Sequence, residues 1–307
     1  MKKILILGAM GFIGKSLVEK LSSKYRIIAF DYVESNIFDG NQNVEYVKGN
    51  FVTKDDFSDL LMGVDKVIHL ISTTTPKDTT DKIIEEVEEN VLPTIRLLES
   101  MVSCNVKEII FSSSAGTVYG ETGNRINSIN AALNPKCSYG VQKCVIEQYL
   151  SFYSQKYGIK AKIVRITNPY GWGQDKNKMQ GIIPIFVNRF LNDEEITVFG
   201  DGSHQRDYVF ITDLINSLAK VMEYDGEERI FNIGYGEYYS INDIIHFIEN
   251  RMHKRFKKIN YVGDRGCDVH RSYVDVSSTQ HLLGWYPEIS IHRGIELTVE
   301  KLLRQNV

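Results

Sequence analysis

The stretch KILILGAMGFIGKS at positions 3–16 constrains the fold more than any other. An apolar run of strand length meets glycines at 8, 11 and 14, and from there Ile13, Leu17 and Leu21 recur at helical spacing. A strand, a turn free of side chains and a helix put backbone N–H groups and a helix N-terminus where phosphate oxygens can meet them. Two ligand classes use that arrangement. Counted from Ala9 to Gly14-Lys15-Ser16, the spacing resembles a triphosphate loop, in which Lys15 would reach the phosphates and Ser16 a magnesium ion. Counted as Gly8, Gly11 and Gly14, it is the spacing of a dinucleotide site. There Gly8 makes the tight turn, Gly11 admits the pyrophosphate, with Phe12 and Ile13 beside it, and Gly14 lets helix and strand pack closely.

The same punctuation continues along the chain. KILIL, RIIAF, VEYV, KVIHLI, KEIIFS and KAKIVRI read as buried strands. Between them Val87, Val91, Ile95 and Leu98, then Val145, Tyr149 and Phe152, fall at helical spacing. Strands alternating with amphipathic helices predict an α/β fold, a doubly wound Rossmann parallel sheet with ligands along the carboxyl ends of its strands. The rhythm loosens after NPYGWGQDKNKMQG, which predicts a first domain over 1–171 and a smaller α/β domain over 172–307, with some segments returning to the first. In the second part IIPIFVNRFL, INDIIHFIENRM and RGIELTVEKLL read as helices, and ITVF, YVFI and RIFNIG as extended segments.

Composition narrows the partners. A formal net charge of −3, with 43% hydrophobic and 24% charged residues, gives no broad attraction for a nucleic-acid backbone or an anionic membrane. No run of about 18 apolar residues is present and the N-terminus lacks the features of a secretory signal, so a cytoplasmic chain is expected. The cysteines, 104, 137, 144 and 267, form no C-x-x-C pair and read as reduced thiols. The seven histidines give no H-x-x-x-H or H-E-x-x-H pattern, so no catalytic metal is expected.

Residues further along bear on the choice of ligand. Asp31 closes the second strand 23 positions after Gly8, near the offset at which a carboxylate receives the adenosine ribose hydroxyls, and it would repel the extra phosphate of NADP. Among 17 tyrosines only Tyr139 has a lysine four positions on, and that spacing stacks Tyr139 and Lys143 on one helix face. A lysine beside a phenol, helped by a cationic nicotinamide ring, lowers the phenol's pKa from about 10 and makes it a base for a substrate hydroxyl. Ser113, Ser114 and Thr117 end the KEIIFS strand with hydroxyls that can bond to the reacting oxygen.

With these residues in this order, the chain resembles the extended short-chain dehydrogenase/reductase family, in its NAD-dependent nucleotide-sugar epimerase/dehydratase branch, and among these most the UDP-glucose and UDP-N-acetylglucosamine 4-epimerases. HLIS at 69–72, ENVLPTIRLLE at 89–99, RITNPYGWGQ at 165–174, VFGDGSHQRDYVFITD at 198–213 and RGCDVHRSYVDVSSTQHLLGWYP at 265–287 extend the resemblance over nearly the whole chain. It implies NAD as cofactor, with Asn50 and Phe51 beside the adenine, His69, Leu70, Ile71 and Ser72 along the cofactor cleft, and Asn90 in a central helix. It further implies a nucleotide-sugar substrate whose phosphates meet Asn168, Arg206 and Arg265, with Asp268 flanking them, and whose base borders Thr197, Val198 and Phe199. A homodimer through the helices near 86–103 and 139–157 is the family habit.

Departures from the family pattern shape the expected reaction. Ala115 stands where a serine or threonine is usual, which leaves Ser114, Ser113 or Thr117 to supply the hydroxyl, with Ser114 preferred. The acidic pair that the 4,6-dehydratases place after the threonine, and the glutamate of the sugar-acid decarboxylases, are absent from Ala115-Gly116-Thr117. The expected reaction is therefore 4-epimerisation through a 4-keto sugar. Ser272 stands where a larger residue limits space around carbon 2, so an N-acetylated hexosamine is expected to be accepted too. A 4-keto-sugar reductase using NADH, or a non-catalytic NAD-binding protein, are the alternatives.

Overall fold

A computed structural model describes residues 1–76, 82–174, 181–264, 266 and 269–305. Its strands are β1 (Lys3–Leu7), β2 (Arg26–Asp31), β3 (Val44–Lys48), β4 (Lys66–His69), β5 (Glu108–Ser114), β6 (Lys160–Ile166), β7 (Asn168–Tyr170), β8 (Ile196–Phe199), β9 (Gln205–Phe210), β10 (Ile230–Ile233), β11 (Tyr238–Ser240) and β12 (Ile259–Val262). Seven of them form the central sheet in the order β3-β2-β1-β4-β5-β6-β10, a Rossmann order. The pairs from β3 through β5 are parallel. Ile4, Leu5, Ile6 and Leu7 are all buried, as strands of a sheet covered on both faces must be.

Register decides where chemistry can happen. Leu7 sits opposite both Phe30 and His69, and His69 opposite Phe111. The chain therefore leaves β1, β2, β4 and β5 at one end of the sheet. Gly8, Asp31, Leu70 and the serines of β5 emerge together there, and the strand order reverses at β1, where ligands of such sheets sit.

The chain forms two compact units, residues 1–114, 137–165 and 218–231 in one, residues 115–136, 166–217 and 232–307 in the other. A single cut at 172 does not describe them. Residues 115–136 belong to the second unit, and 218–231 return to the first. The first unit's core joins Leu5, Leu7, Ile28, Phe30, Val67, Leu97, Leu98, Ile109 and Phe111. The second holds a three-stranded sheet β11-β9-β7, a two-stranded sheet β12-β8, and helices Ile182–Leu191, Ile241–Met252 and Ile291–Gln305. The second of these helices starts with a capping box, Ser240 accepting from the Asp243 N–H while the Asp243 carboxylate accepts from the Ser240 N–H. Among the described residues no helix is long and apolar enough to cross a membrane.

Helix Ser138–Tyr157 mixes polar and apolar groups on its buried face. It buries Gln142, Lys143, Ile146, Glu147, Leu150 and Tyr153, whereas Val141, Tyr149 and Phe152 stand exposed. The buried polar groups find partners, and of the apolar stripe read from the sequence Val145 packs against the core while Tyr149 and Phe152 are exposed.

Candidate active site and cofactor cradle

Three glycines shape the turn after β1. Gly8 has φ +87°, and a Cβ on it would come within 3.2 Å of the Ile71 backbone nitrogen. A Cβ on Gly14 would lie 2.1 Å from the Gly8 carbonyl oxygen, so only glycine lets the helix Phe12–Leu21 pack this close. Gly11 is that helix's N-cap, without a side-chain cap. A helix leaves its first N–H groups, here those from Phe12 onward, without intrahelical partners. Lys15 and Ser16 lie within this helix's first turn, and Gly14 is consumed by packing, as a dinucleotide turn requires and a triphosphate loop does not.

Asp31 anchors the turn from β2. Its carboxylate accepts from Met10 N at 2.9 Å and from Val33 N at 3.2 Å. Asn50, exposed, accepts from Val52 N at 2.9 Å. The Phe51 ring is buried, 5.3 Å from the Phe57 ring and 4.9 Å from that of His69, so its side chain belongs to the core and its backbone is the part that can meet an adenine.

Beyond β4, Leu70 and Ile71 are half-buried and Ser72 is exposed. Asn90 fixes this loop, donating to Thr73 Oγ1 at 2.8 Å and accepting from Thr73 N at 2.9 Å. It does so from a π-helical turn, Val87–Val91, that precedes helix Leu92–Ser103. His69 bonds Thr94 Oγ1 at 3.0 Å, and Thr94 donates to the Asn90 carbonyl at 2.6 Å. Since the Thr94 proton is used, His69 Nε2 is the donor. Burial, aided by the nearby Lys143 charge, pushes the His69 pKa down to about 3.

Tyr139 and Lys143 lie in the first turns of helix Ser138–Tyr157. The Lys143 ammonium donates to the Ser112 carbonyl at 3.0 Å and stands 5.5 Å from the Tyr139 ring centroid and 4.8 Å from that of Phe111. Burial pushes Lys143 down to about 8, against the upward pull of Glu147. The protein alone does not depress the Tyr139 phenol. Desolvation pushes it up to about 12, with a hydrogen bond to Ser72 pulling the other way. The expected depression therefore requires positive charge beyond what the chain supplies.

Alternation along β5 separates its serines. Ser112 and Ser114 are half-buried on one face, while Ser113 is buried on the other and donates to Glu147 Oε1 at 2.5 Å. Arg165 clamps the same carboxylate, Nη2 to Oε2 at 2.6 Å and Nε to Oε1 at 3.1 Å. Ser113 is thus engaged by a buried ion pair, while Ser114 lies half-buried on the other face of the strand end.

The remaining expected residues lie in the second unit. Asn168 donates to the Asp207 carbonyl at 3.1 Å and stands beside Gly116, whose Cβ would be 3.9 Å from its amide nitrogen. Ser272 is buried and donates to the Ala115 carbonyl at 3.3 Å, and Thr117 is buried in the same turn. Arg206 Nη1 donates to the carbonyls of Gln205, at 2.8 Å, and His270, at 3.4 Å. On β8, Thr197 is exposed and Phe199 half-buried, but Val198 is buried and can meet a nucleotide base only through its backbone. Arg265 and Asp268 lie outside the described residues.

Comparison with known proteins decides the family. Residues 4–234 match the NAD dependent epimerase/dehydratase family. The chain belongs to it. It is 34% identical, over 99% of each chain, to a Methanocaldococcus jannaschii protein provisionally assigned as a UDP-glucose 4-epimerase. It is 30% identical, over 97% of each chain, to an Escherichia coli dTDP-4-dehydro-6-deoxyglucose reductase. The crystal structure of the Thermotoga maritima UDP-glucose 4-epimerase with UDP-glucose superposes with a TM-score of 0.92, at 30% identity and covering 99% of this chain and 100% of the other.

This member of the epimerase/dehydratase family is an NAD-dependent enzyme of nucleotide-sugar chemistry. Its residues fit NAD on their own evidence: a turn whose Gly14 has no room for a Cβ against the Gly8 carbonyl, an uncapped helix N-terminus, and a carboxylate at the end of β2. Three residues escaped the reading of site chemistry from the sequence. Asn90 was placed only in a central helix, while Thr94 and Glu147 carry no motif, because their roles arise from partners 17, 25 and 34 positions away.

Proposed function

We propose that the protein interconverts the 4-epimers of a UDP-hexose. The reading is carried by one observation: the turn after β5 is Ala115-Gly116-Thr117, without a carboxylate, beside a strand that ends in Ser114. Dehydration across carbons 5 and 6, or decarboxylation, needs an acid-base group there that this chain lacks. Oxidation and reduction at carbon 4 need only the tyrosine and a hydroxyl donor.

NAD, when bound, supplies the hydride acceptor for oxidation at carbon 4 and the donor for its reversal. The chain's part is proton handling and orientation. Tyr139 Oη takes the proton of the sugar 4-hydroxyl, and Lys143, held on the Ser112 carbonyl, stabilises the phenolate. Ser114 donates to the same sugar oxygen. The 4-keto sugar turns over in the pocket, so that hydride would return to the opposite face of carbon 4 while Tyr139 gives its proton back to the 4-oxygen. Asn168 and Arg206, with Arg265 and Asp268, hold the diphosphate, and Thr197 to Phe199 border the base. The small Ser272 leaves room near carbon 2, so UDP-N-acetylhexosamines are substrates as well.

The test is to incubate the NAD-loaded protein with UDP-glucose, UDP-galactose and the two N-acetylated counterparts, without added reductant. Epimers should form with no net change in cofactor. A strict need for NADH with a 4-keto substrate would instead establish the reductase reading, which the Escherichia coli relative favours.

A further inference from the structure

Three side chains that the proposed reaction does not use converge in the second unit. His204 Nε2 lies 3.3 Å from Asp264 Oδ2, and His270 Nε2 lies 3.6 Å from the same oxygen. The two imidazoles meet edge to face with centroids 4.4 Å apart, and the three donor atoms all lie within 4.8 Å of one another. His204 is buried, while Asp264 and His270 face solvent.

The backbone holds the chain around these residues together without help from their side chains. β8 and β12 run parallel from Ile196 opposite Ile259 to Phe199 opposite Val262, and Gly200 N then donates to the Val262 carbonyl at 2.9 Å. The loops bearing His204 and Asp264 therefore start side by side. Gln205 N donates to the His270 carbonyl at 3.0 Å, and the Glu121 carboxylate accepts from His270 N at 2.7 Å and Arg271 N at 3.0 Å. Gly200, at φ +73°, gives the cluster its space, since a Cβ there would lie 3.3 Å from His204 Cε1 and 3.8 Å from Asp264 Oδ2.

We propose that His204, Asp264 and His270 bind a divalent transition-metal ion of the Zn²⁺ or Co²⁺ type, with a fourth position open to water. Ligand atoms around tetrahedral zinc, at bond lengths of about 2.0–2.1 Å, are about 3.3 Å apart, and both imidazole–carboxylate separations already approach that spacing. The exposed His270 ring needs only a small swing to close the third. Two imidazole nitrogens and one carboxylate suit borderline ions, whereas Mg²⁺ and Ca²⁺ demand oxygen ligands. The ion would tie the loop bearing His204 to Asp264 and His270. Short-spacing motifs could not show such a site, because His204 lies before β9 while Asp264 and His270 follow β12, far along the chain.

The test uses the full-length protein, stripped with a chelator and titrated with Co²⁺ followed by visible absorption and with Zn²⁺ by calorimetry. One ion per chain is expected, with excess Mg²⁺ failing to displace it. His270→Ala and Asp264→Asn should each weaken binding by at least about tenfold, since even partners one step removed from a metal contribute that much. His270 is exposed, so its variant keeps the fold, and circular dichroism checks both. Wild type binding no more tightly than His270→Ala, or Mg²⁺ competing on equal terms, would overturn the proposal and leave a carboxylate bridging two histidines.

Discussion

At the scale of the residue, the tension lies in Lys143. Its pKa falls from 10.5 to about 8 because the ammonium is buried, so the folded chain holds the charge at a cost that the unfolded chain does not bear. Below about pH 8 both states are protonated and the full cost is present. Between about pH 8 and 10.5 the unfolded state still holds a proton that the folded state has released, so stability rises with pH across that window. Lys143→Met should therefore unfold at higher urea than wild type at pH 7, by about 1–3 kcal/mol from the size of the shift less the lost bond to the Ser112 carbonyl, with the gap closing by pH 10.5. The same variant should lose turnover. Equal stability of the two proteins at pH 7 would refute the account of burial. Tyr139 carries the complementary prediction: Tyr139→Phe should lower kcat by about 10²–10⁴-fold, the span of a general base, with bound NAD unchanged. The phenol itself, pushed up to about 12 by its surroundings, should titrate at lower pH in NAD-loaded than in stripped protein, read as phenolate absorbance against the Tyr139→Phe background.

At the scale of the element, patterns that depend on neighbours in sequence were legible. KILIL, RIIAF, VEYV and KAKIVRI became strands, and IIPIFVNRFL and INDIIHFIENRM became helices Ile182–Leu191 and Ile241–Met252, because period and end signals are local. What faced where was not always legible. Tyr149 and Phe152 fall at helical spacing yet are exposed, because Glu147 and Lys143 are drawn to the sheet by Arg165 and the Ser112 carbonyl, and Gln142 to Thr74 in the loop beyond β4. Ile83, Ile84, Val87 and Leu92, on the helical segments of the same unit that precede it, are exposed too. Exposed apolar groups in such number mark an interaction surface, and we propose the homodimer contact there. Phe152→Asp should convert a dimer to a monomer in light scattering, whereas a monomeric wild type would remove the proposal. The glycine turn gives an element-scale prediction of its own. Gly14→Ala sets a methyl 2.1 Å from the Gly8 carbonyl oxygen, backbone that cannot step aside. The helix must then lift from β1, so NAD retained after purification should fall to a small fraction and stability should drop by about 1–3 kcal/mol.

At the scale of the whole molecule, a linear boundary fails because the first unit is completed by residues far along the chain. Lys66 and Lys162 are both buried, and their ammonium groups donate to main-chain carbonyls of the returning segment, Lys66 to Met222 at 2.9 Å and Lys162 to Val221 at 2.7 Å and to Tyr224. Glu108 pairs with Lys66 at 2.8 Å, but burial still pushes Lys162 down to about 8. Ile163 N also donates to the Arg229 carbonyl at 2.7 Å. No local pattern in residues 218–231 announces these acceptors, since a carbonyl is the same in every residue. A fragment ending at residue 171 would keep the glycine turn, Asp31, Tyr139 and Lys143, yet leave the Lys162 ammonium without its carbonyl acceptors, Lys66 with Glu108 alone, and β6 without a partner on one side. Each lost hydrogen bond from a charged group costs about 1.5–3 kcal/mol, a sizeable part of the stability of a domain. The fragment should therefore lack a cooperative melting transition by circular dichroism and bind no NAD in calorimetry, although every residue of the expected cofactor site is present. Native-like melting and NAD binding by the fragment would show that the returning segment is an ornament to the first unit, not a part of it.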